Sequence, residues 1–191
     1  MTSNGLFPVR LEAWVLQDRN YPGIARGMDT AFALEFQALS PLNLLKPDRQ
    51  PGLRHTGSGH YEGAGRVLHV AEEWWVIDFS VRAFQQASPP AGARAGDVLG
   101  GAIRLSVDPH FYFAKLSKEP GAPALIYDWR VEKIEMQTAP LKRLTKRMLA
   151  REETQLGWAE IEAAEAWKDD GGHAEYLLHC RRTGGEARMA L

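Results

Sequence analysis

Apolar and polar positions alternate with a period of two over much of this chain, most strongly in residues 72–84 (EEWWVIDFSVRAF). Successive side chains of an extended strand face opposite ways. Trp75, Ile77, Phe79, Val81 and Ala83 then share a wholly apolar face, while Trp74, Val76, Asp78, Ser80, Arg82 and Phe84 share a mixed one. That pattern predicts a strand with its first face in a core and its second only partly covered. Residues 63–70 (GAGRVLHV) lead into it, so the two together predict a long hairpin turning near 71–73 or one strongly bent strand.

The alternation recurs along the chain. Residues 9–16 (VRLEAWVL) alternate weakly and predict a short strand or a lead-in over a barrel end, and 17–29 are turn-rich. Residues 30–39 set Phe32, Leu34, Phe36 and Ala38 against Ala33, Glu35 and Gln37, which predicts a strand. Prolines and glycines make 40–62 a long irregular connection, of the kind that is functional or mobile in a compact domain. Residues 96–107 (GDVLGGAIRLSV) predict a strand with Leu99, Gly101, Ile103, Leu105 and Val107 on its core face. Two adjacent glycines weaken a strand unless it bends sharply or lets another backbone approach, as barrel corners require. After the break at Asp108-Pro109, residues 110–116 (HFYFAKL) are expected to resume as extended chain. Residues 124–137 (ALIYDWRVEKIEMQ) form a further strand, whose change of phase near Lys133 and Ile134 predicts a bulge.

At Thr138 the period changes. Leu141, Leu144 and Met148 are spaced i, i+3, i+7, and Lys142, Arg143, Lys146 and Arg147 share another face. With Thr138 as N-cap and Pro140 in the first turn, this reads as an amphipathic basic helix to about residue 153. Residues 157–167 fit either a helix or a strand. The turn chemistry of 168–172 and the alternation of 173–182, with Tyr176, Leu178 and Cys180 inward, tip the reading toward a C-terminal hairpin.

The expected fold is therefore mainly β: an antiparallel small barrel or sandwich with one amphipathic helix and a C-terminal hairpin. The segments are a barrel core over 1–137, the basic helix over 138–155, and a hairpin (or helix plus strand) over 156–191 packed on the same domain. Within 95–105, AGDVLGGAIRL resembles the Gly-Asp-hydrophobic-x-Gly strand of oligonucleotide/oligosaccharide-binding barrels. The resemblance implies an OB-like fold and no ligand. Where that fold has a helix between its third and fourth strands, this chain has the proline-rich stretch 85–94.

Composition narrows the function. With 191 residues, 45% of them hydrophobic and six tryptophans, the chain can bury a sizeable core as one domain. Its formal charge of -1 lacks the basic excess of a dedicated nucleic-acid binder. Cys180, the single cysteine, excludes an internal disulfide, fits a reducing cytoplasm and reads as a small core residue. The first residues lack the charged and apolar regions of a signal peptide, and no apolar run reaches the roughly 20 residues of a membrane helix. A soluble cytoplasmic chain is expected, with no membrane partner.

Trp74, Arg82 and Phe84 form a candidate surface for a protein partner or a second copy, since Trp and Arg are frequent interface anchors. The plainer reading is that the chain covers this face itself, with Asp78 and Arg82 paired across it. Lys142, Arg143, Lys146 and Arg147, with Arg151, would grip phosphates in a salt-dependent way. That helix has no interleaved aromatics for base stacking, and a solvated face balanced by the acidic stretch 152–170 is simpler. Asp78 reads as a general acid or, more simply, a satisfied acceptor, and Asp108 with His110 reads as a turn. His55, His60, His69, His179 and Cys180 do not match zinc spacing, and no phosphate-loop, dinucleotide or nucleophile-elbow pattern occurs, so no metal or cofactor is expected. The expectation is a binding protein rather than an enzyme, acting on another protein or as a homodimer through a barrel face. Single-stranded nucleic-acid binding by barrel face plus basic helix comes second. An enzyme using Asp78, His60 and Asp108 comes third.

Overall fold

The structure, a computed structural model, describes residues 5–143, 149–151 and 157–190. Its strands are β1 (Leu6–Glu12), β2 (Asp29–Phe32), β3 (Leu34–Ala38), β4 (Asn43–Leu44), β5 (Gly52–Gly57), β6 (His60–Val70), β7 (Trp75–Asp78), β8 (Arg82–Gln85), β9 (Val98–Val107), β10 (Tyr127–Gln137), β11 (Leu141–Arg143), β12 (Leu149–Arg151), β13 (Trp158–Ile161) and β14 (Glu175–Arg182). Among the described residues there are also two short α-helices, α1 (Ala13–Gln17) and α2 (Phe111–Ala114), and short 3-10 turns.

Residues 72–84 supply two walls of a barrel rather than one strand. β7 and β8 pair antiparallel with Asp78 opposite Arg82, reversing over 79–81, where Ser80 has φ +80° and donates its N–H to Asp78 Oδ1 at 2.8 Å. Opposed residues in this register have the same parity, so the even positions of both strands share one face and the odd positions the other. Period-two alternation is thus blind to the reversal, and no glycine, proline or asparagine marks it. The predicted inward set, Trp75, Ile77, Phe79, Val81 and Ala83, is buried.

The ring runs β9, β3, β8, β7, β6 and back to β9, a closed barrel of five strands. All its pairings are antiparallel except β3 with β8. β6 and β7 form the predicted hairpin, with Val70 opposite Trp75. Where β6 crosses β9, a Cβ on Gly100 would lie 2.6 Å from Leu45 Cδ1 and 2.9 Å from the Gly63 carbonyl oxygen. One on Gly65 would collide with Ile77 Cγ2. These glycines let the backbones close.

The same sheet continues beyond the barrel as a flank, β13-β10-β14-β1, which carries β2 on the free part of β10 and joins the barrel where Arg10 of β1 lies parallel to Ser106 of β9. The single strand expected over 30–39 is split at Ala33, with β2 on the flank and β3 in the barrel. The bulge in β10 falls between Val131 and Lys133. The C-terminal strands do not form the expected hairpin: β13 and β14 flank β10 on opposite sides.

Two further expectations are corrected. Residues 110–116 are not extended: α2 and a 3-10 turn (Leu116–Lys118) replace the strand. Asp108 accepts the N–H groups of Phe111 at 2.8 Å and Tyr112 at 3.1 Å, which starts the helical turn. Tyr112 and Leu116, four residues apart, are both buried. The basic helix is the second. β11 and β12 pair antiparallel, Leu141 with Arg151 and Arg143 with Leu149, while 144–148 and 152–156 lie outside the described residues. Long-range bonds override local helix propensity here. The Arg151 guanidinium reaches Asp170 at 2.8 Å, Glu175 at 3.3 Å and the carbonyls of Ala139 and His173 at 2.8 Å each.

A large core fills the barrel and lines the flank, and a smaller one packs Trp74, Val76 and Phe84 against Tyr112, Leu116, Leu125 and Ile126. Among the described residues no helix is long and apolar enough to cross a membrane.

Candidate functional site

β9 changes partner near its end. His60 of β6 lies opposite Arg104, and the Leu105 N–H still bonds the Gly59 carbonyl at 3.0 Å, but at Ser106 the neighbour is Arg10 of β1. On the other side of β9, Glu35 and Gln37 of β3 lie opposite Ser106 and Arg104. Alternation turns these polar side chains away from the barrel core. A cleft of about 260 Å³ opens above them, lined also by Glu12, Trp14, Gln85 and Gln86.

Its charged groups differ in what they have left to give. Arg10 is committed: it bonds Glu175 at 2.8 Å and the Ser58 carbonyl at 3.1 Å, and its guanidinium lies 5.7 Å from the centre of the Trp158 ring. Glu12 accepts from Trp14 Nε1 at 2.6 Å. Arg104 gives one Nη2 bond to Gln37 Oε1 at 2.5 Å, and its Nε and Nη1 have no acceptor among the described residues. The carboxyl of Glu35 is partly buried and accepts no hydrogen bond from the described residues. Burial pushes its pKa from 4.5 to about 7, with Arg104 pulling down and Glu12 pushing up. Trp14 is 41% exposed and presents a flat apolar face.

Below the cleft Asp108 is fully buried. Burial raises its pKa to about 7, opposed by the N–H groups of Phe111 and Tyr112 and reinforced by Glu35. Buried nearby, Tyr21 Oη and His110 Nδ1 have no hydrogen-bond partner among the described residues, and the His110 ring stacks on Phe113 at 4.9 Å. Asp108 cannot touch a ligand from this position. It shapes the turn that carries Pro109, one wall of the cleft.

The residues singled out from sequence sit elsewhere. Trp74 and Phe84 are buried in the smaller core, and Trp74 Nε1 bonds Glu119 at 2.7 Å. The face they share is covered by the chain itself, through residues 112–126, so neither is a surface anchor. Arg82 is partly exposed, bonds the Ala124 carbonyl at 3.2 Å and lies 3.9 Å from Asp78. Lys142 is exposed and Arg143 is at the end of β11, while Lys146 and Arg147 lie outside the described residues. Arg151 is spent on the acids and carbonyls described above.

Asp78, His60 and Asp108 do not converge. Asp78 caps a turn, His60 lies beside Arg104, and Asp108 is sealed in the core. His55 and His69 each bury an Nε2 with no hydrogen-bond partner among the described residues, and His179 Nε2 lies 2.7 Å from Glu135. Among the described residues no three His, Cys, Asp or Glu side chains group as a metal site. Cys180 is buried, which raises its thiol pKa.

No family model, curated protein or solved structure matches this chain. The chemistry of the cleft has to be read from its own geometry. Sequence reasoning left Glu35 as one polar position on a strand face and Trp14 as part of a weak alternation. Nothing local distinguishes either residue, because the cleft exists only where β1 replaces β6 beside β9.

Proposed function

We propose that the protein works by binding, and that the cleft bordered by β1, β3 and β9 holds a small polar ligand. The observation that carries this reading is Glu35: a partly desolvated carboxyl facing a cleft with no protein donor among the described residues to satisfy it. Such groups are costly to keep for structure alone and are frequent at functional sites. Trp14 adds a rigid aromatic face with a polar tip, a residue type common where proteins bind.

The ring order supports an OB-like barrel whose closing strand comes first in the chain. β6, β7, β8 and β9 stand as strands one to four, and β3, parallel to β8, stands as the fifth. The cleft lies on the fourth and fifth strands rather than the second and third, so the fold analogy lends no ligand. Single-stranded nucleic acid has less support, since the two arginines of the cleft are matched by two glutamates and Arg151 is occupied. A protein partner or second copy on the barrel face also has less support, with Trp74 and Phe84 packed inside.

Two-dimensional NMR of the labelled chain tests the reading with three probe sets: the common amino acids, monosaccharides and nucleosides. At least one set should shift the Trp14 indole and the Glu35 and Ser106 amides, and Trp14→Ala should weaken that binding at least tenfold. Absence of any such shift at millimolar concentration refutes the cleft. Octathymidylate binding at low salt through other residues would favour nucleic acid instead.

A further inference from the structure

We infer that the cleft recognises a zwitterion, an α-amino acid whose ammonium group meets the Glu35 carboxylate and whose carboxylate meets the free edge of the Arg104 guanidinium. The inference rests on the cleft being the ligand site and adds the chemical class of its occupant. Four observations point there.

First, Glu35 and Arg104 line the same cleft from adjacent strands, two positions apart in register and so on one face, since Glu35 faces Ser106 and Arg104 faces Gln37. Second, they form no ion pair with each other; Gln37 holds one Nη2 of Arg104, and the remaining donors stay open. Third, Arg10 is already held by Glu175, and Glu12 is exposed and gives one oxygen to the Trp14 indole, so Glu35 and Arg104 are the two partly buried charges of the cleft without an ion-pair partner among the described residues. A ligand with a single charge would leave one of them unpaired in a partly desolvated place. A zwitterion satisfies both through charge-assisted hydrogen bonds. Fourth, about 260 Å³ is below the roughly 300–1,000 Å³ of sites for drug-sized ligands, which suits a single amino acid and not an oligomer. Trp14, half exposed at the rim, favours a flat or apolar side chain on that amino acid.

Isothermal titration of the full chain with L-phenylalanine, 3-phenylpropionate and phenethylamine reads the two charges separately. Phenylalanine should bind at least tenfold more tightly than either analogue. Glu35→Gln should weaken phenylalanine at least tenfold with no effect on phenylpropionate, and Arg104→Met should do the converse with phenethylamine, both variants keeping the wild-type circular dichroism. Either analogue binding as tightly as phenylalanine, or Glu35→Gln leaving phenylalanine unaffected, overturns the zwitterion while the cleft still stands. If none of the three binds while a monosaccharide or nucleoside shifts Trp14, the amino-acid class is overturned alone. If no probe of any class reaches Trp14, both readings fall. The wild-type comparison of the three probes is decisive even if a variant does not fold.

Discussion

Replacing Asp108 with asparagine should make the protein's stability less sensitive to pH, and the size of the change follows from burial. Asp108 has no exposed surface, and its pKa stands at about 7 against an ordinary 3.8. An acid whose pKa is raised on folding stabilises the fold below its unfolded pKa, and that stability drains as pH climbs toward the folded value. Each pH unit well inside the window is worth about 1.4 kcal/mol, and the slope falls off as pH nears the folded value, so from pH 5 to pH 7 this group alone removes about 2 kcal/mol. Asparagine keeps an oxygen for the Phe111 N–H and has no proton to lose. Burial lowers the pKa of His55, His60, His69 and His110, which act with the opposite sign, but they are present in both proteins and cancel in the difference. Urea unfolding at pH 5, 6, 7 and 8 should show Asp108→Asn gaining about 2 kcal/mol on the wild type between pH 5 and 7. Parallel pH profiles would refute the reasoning. A gap that moves the other way would mean that the Phe111 and Tyr112 N–H groups hold the ionised form against burial.

Three more outcomes follow from packing. Phe84→Ala should cost about 3–5 kcal/mol in urea unfolding, because the ring is fully buried, whereas a surface anchor would leave stability within about 0.5 kcal/mol of wild type. Arg151→Ala should cost about 2–3 kcal/mol by the same assay: its side chain is 8% exposed, and the discount from a fully buried pair reflects the 30% exposure of Asp170 and Glu175. An unchanged midpoint would return Arg151 to the solvated face expected from sequence. Gly65→Ala should lower the melting temperature by at least the equivalent of about 1–3 kcal/mol, since its methyl group meets Ile77 and the Asp78 carbonyl, while Gly23→Ala, with nothing within 4 Å, should stay near wild type. Equal melting of the two variants would remove the close approach at Gly65.

Face assignment was legible in the sequence and connectivity was not. The side-chain period put Trp75, Ile77 and Phe79 inside and marked the slip in β10, because both are properties of neighbouring residues. The reversal at Ser80 escaped because its register preserves parity. Leu141, Leu144 and Met148 have helical spacing, yet Leu141 lies in a strand, and the bonds made by Arg151 to Asp170, Glu175 and His173 are not encoded nearby. The pairing of both C-terminal strands with β10 is likewise a choice of partner, which alternation leaves open. For the same reason Glu35 and Trp14 were visible as residue types but not as members of one cleft.

Placing the closing stave of the barrel ahead of the other four has a consequence for biogenesis. Leu34–Ala38 leaves the ribosome before either of its neighbours, Arg82–Gln85 and Val98–Val107, exists. The run from His60 to Gln85 can pair locally as it emerges, while that first stave waits with both edges bare. Loop-closure entropy then makes its insertion the slow event, and the nascent chain is most prone to aggregate in that interval.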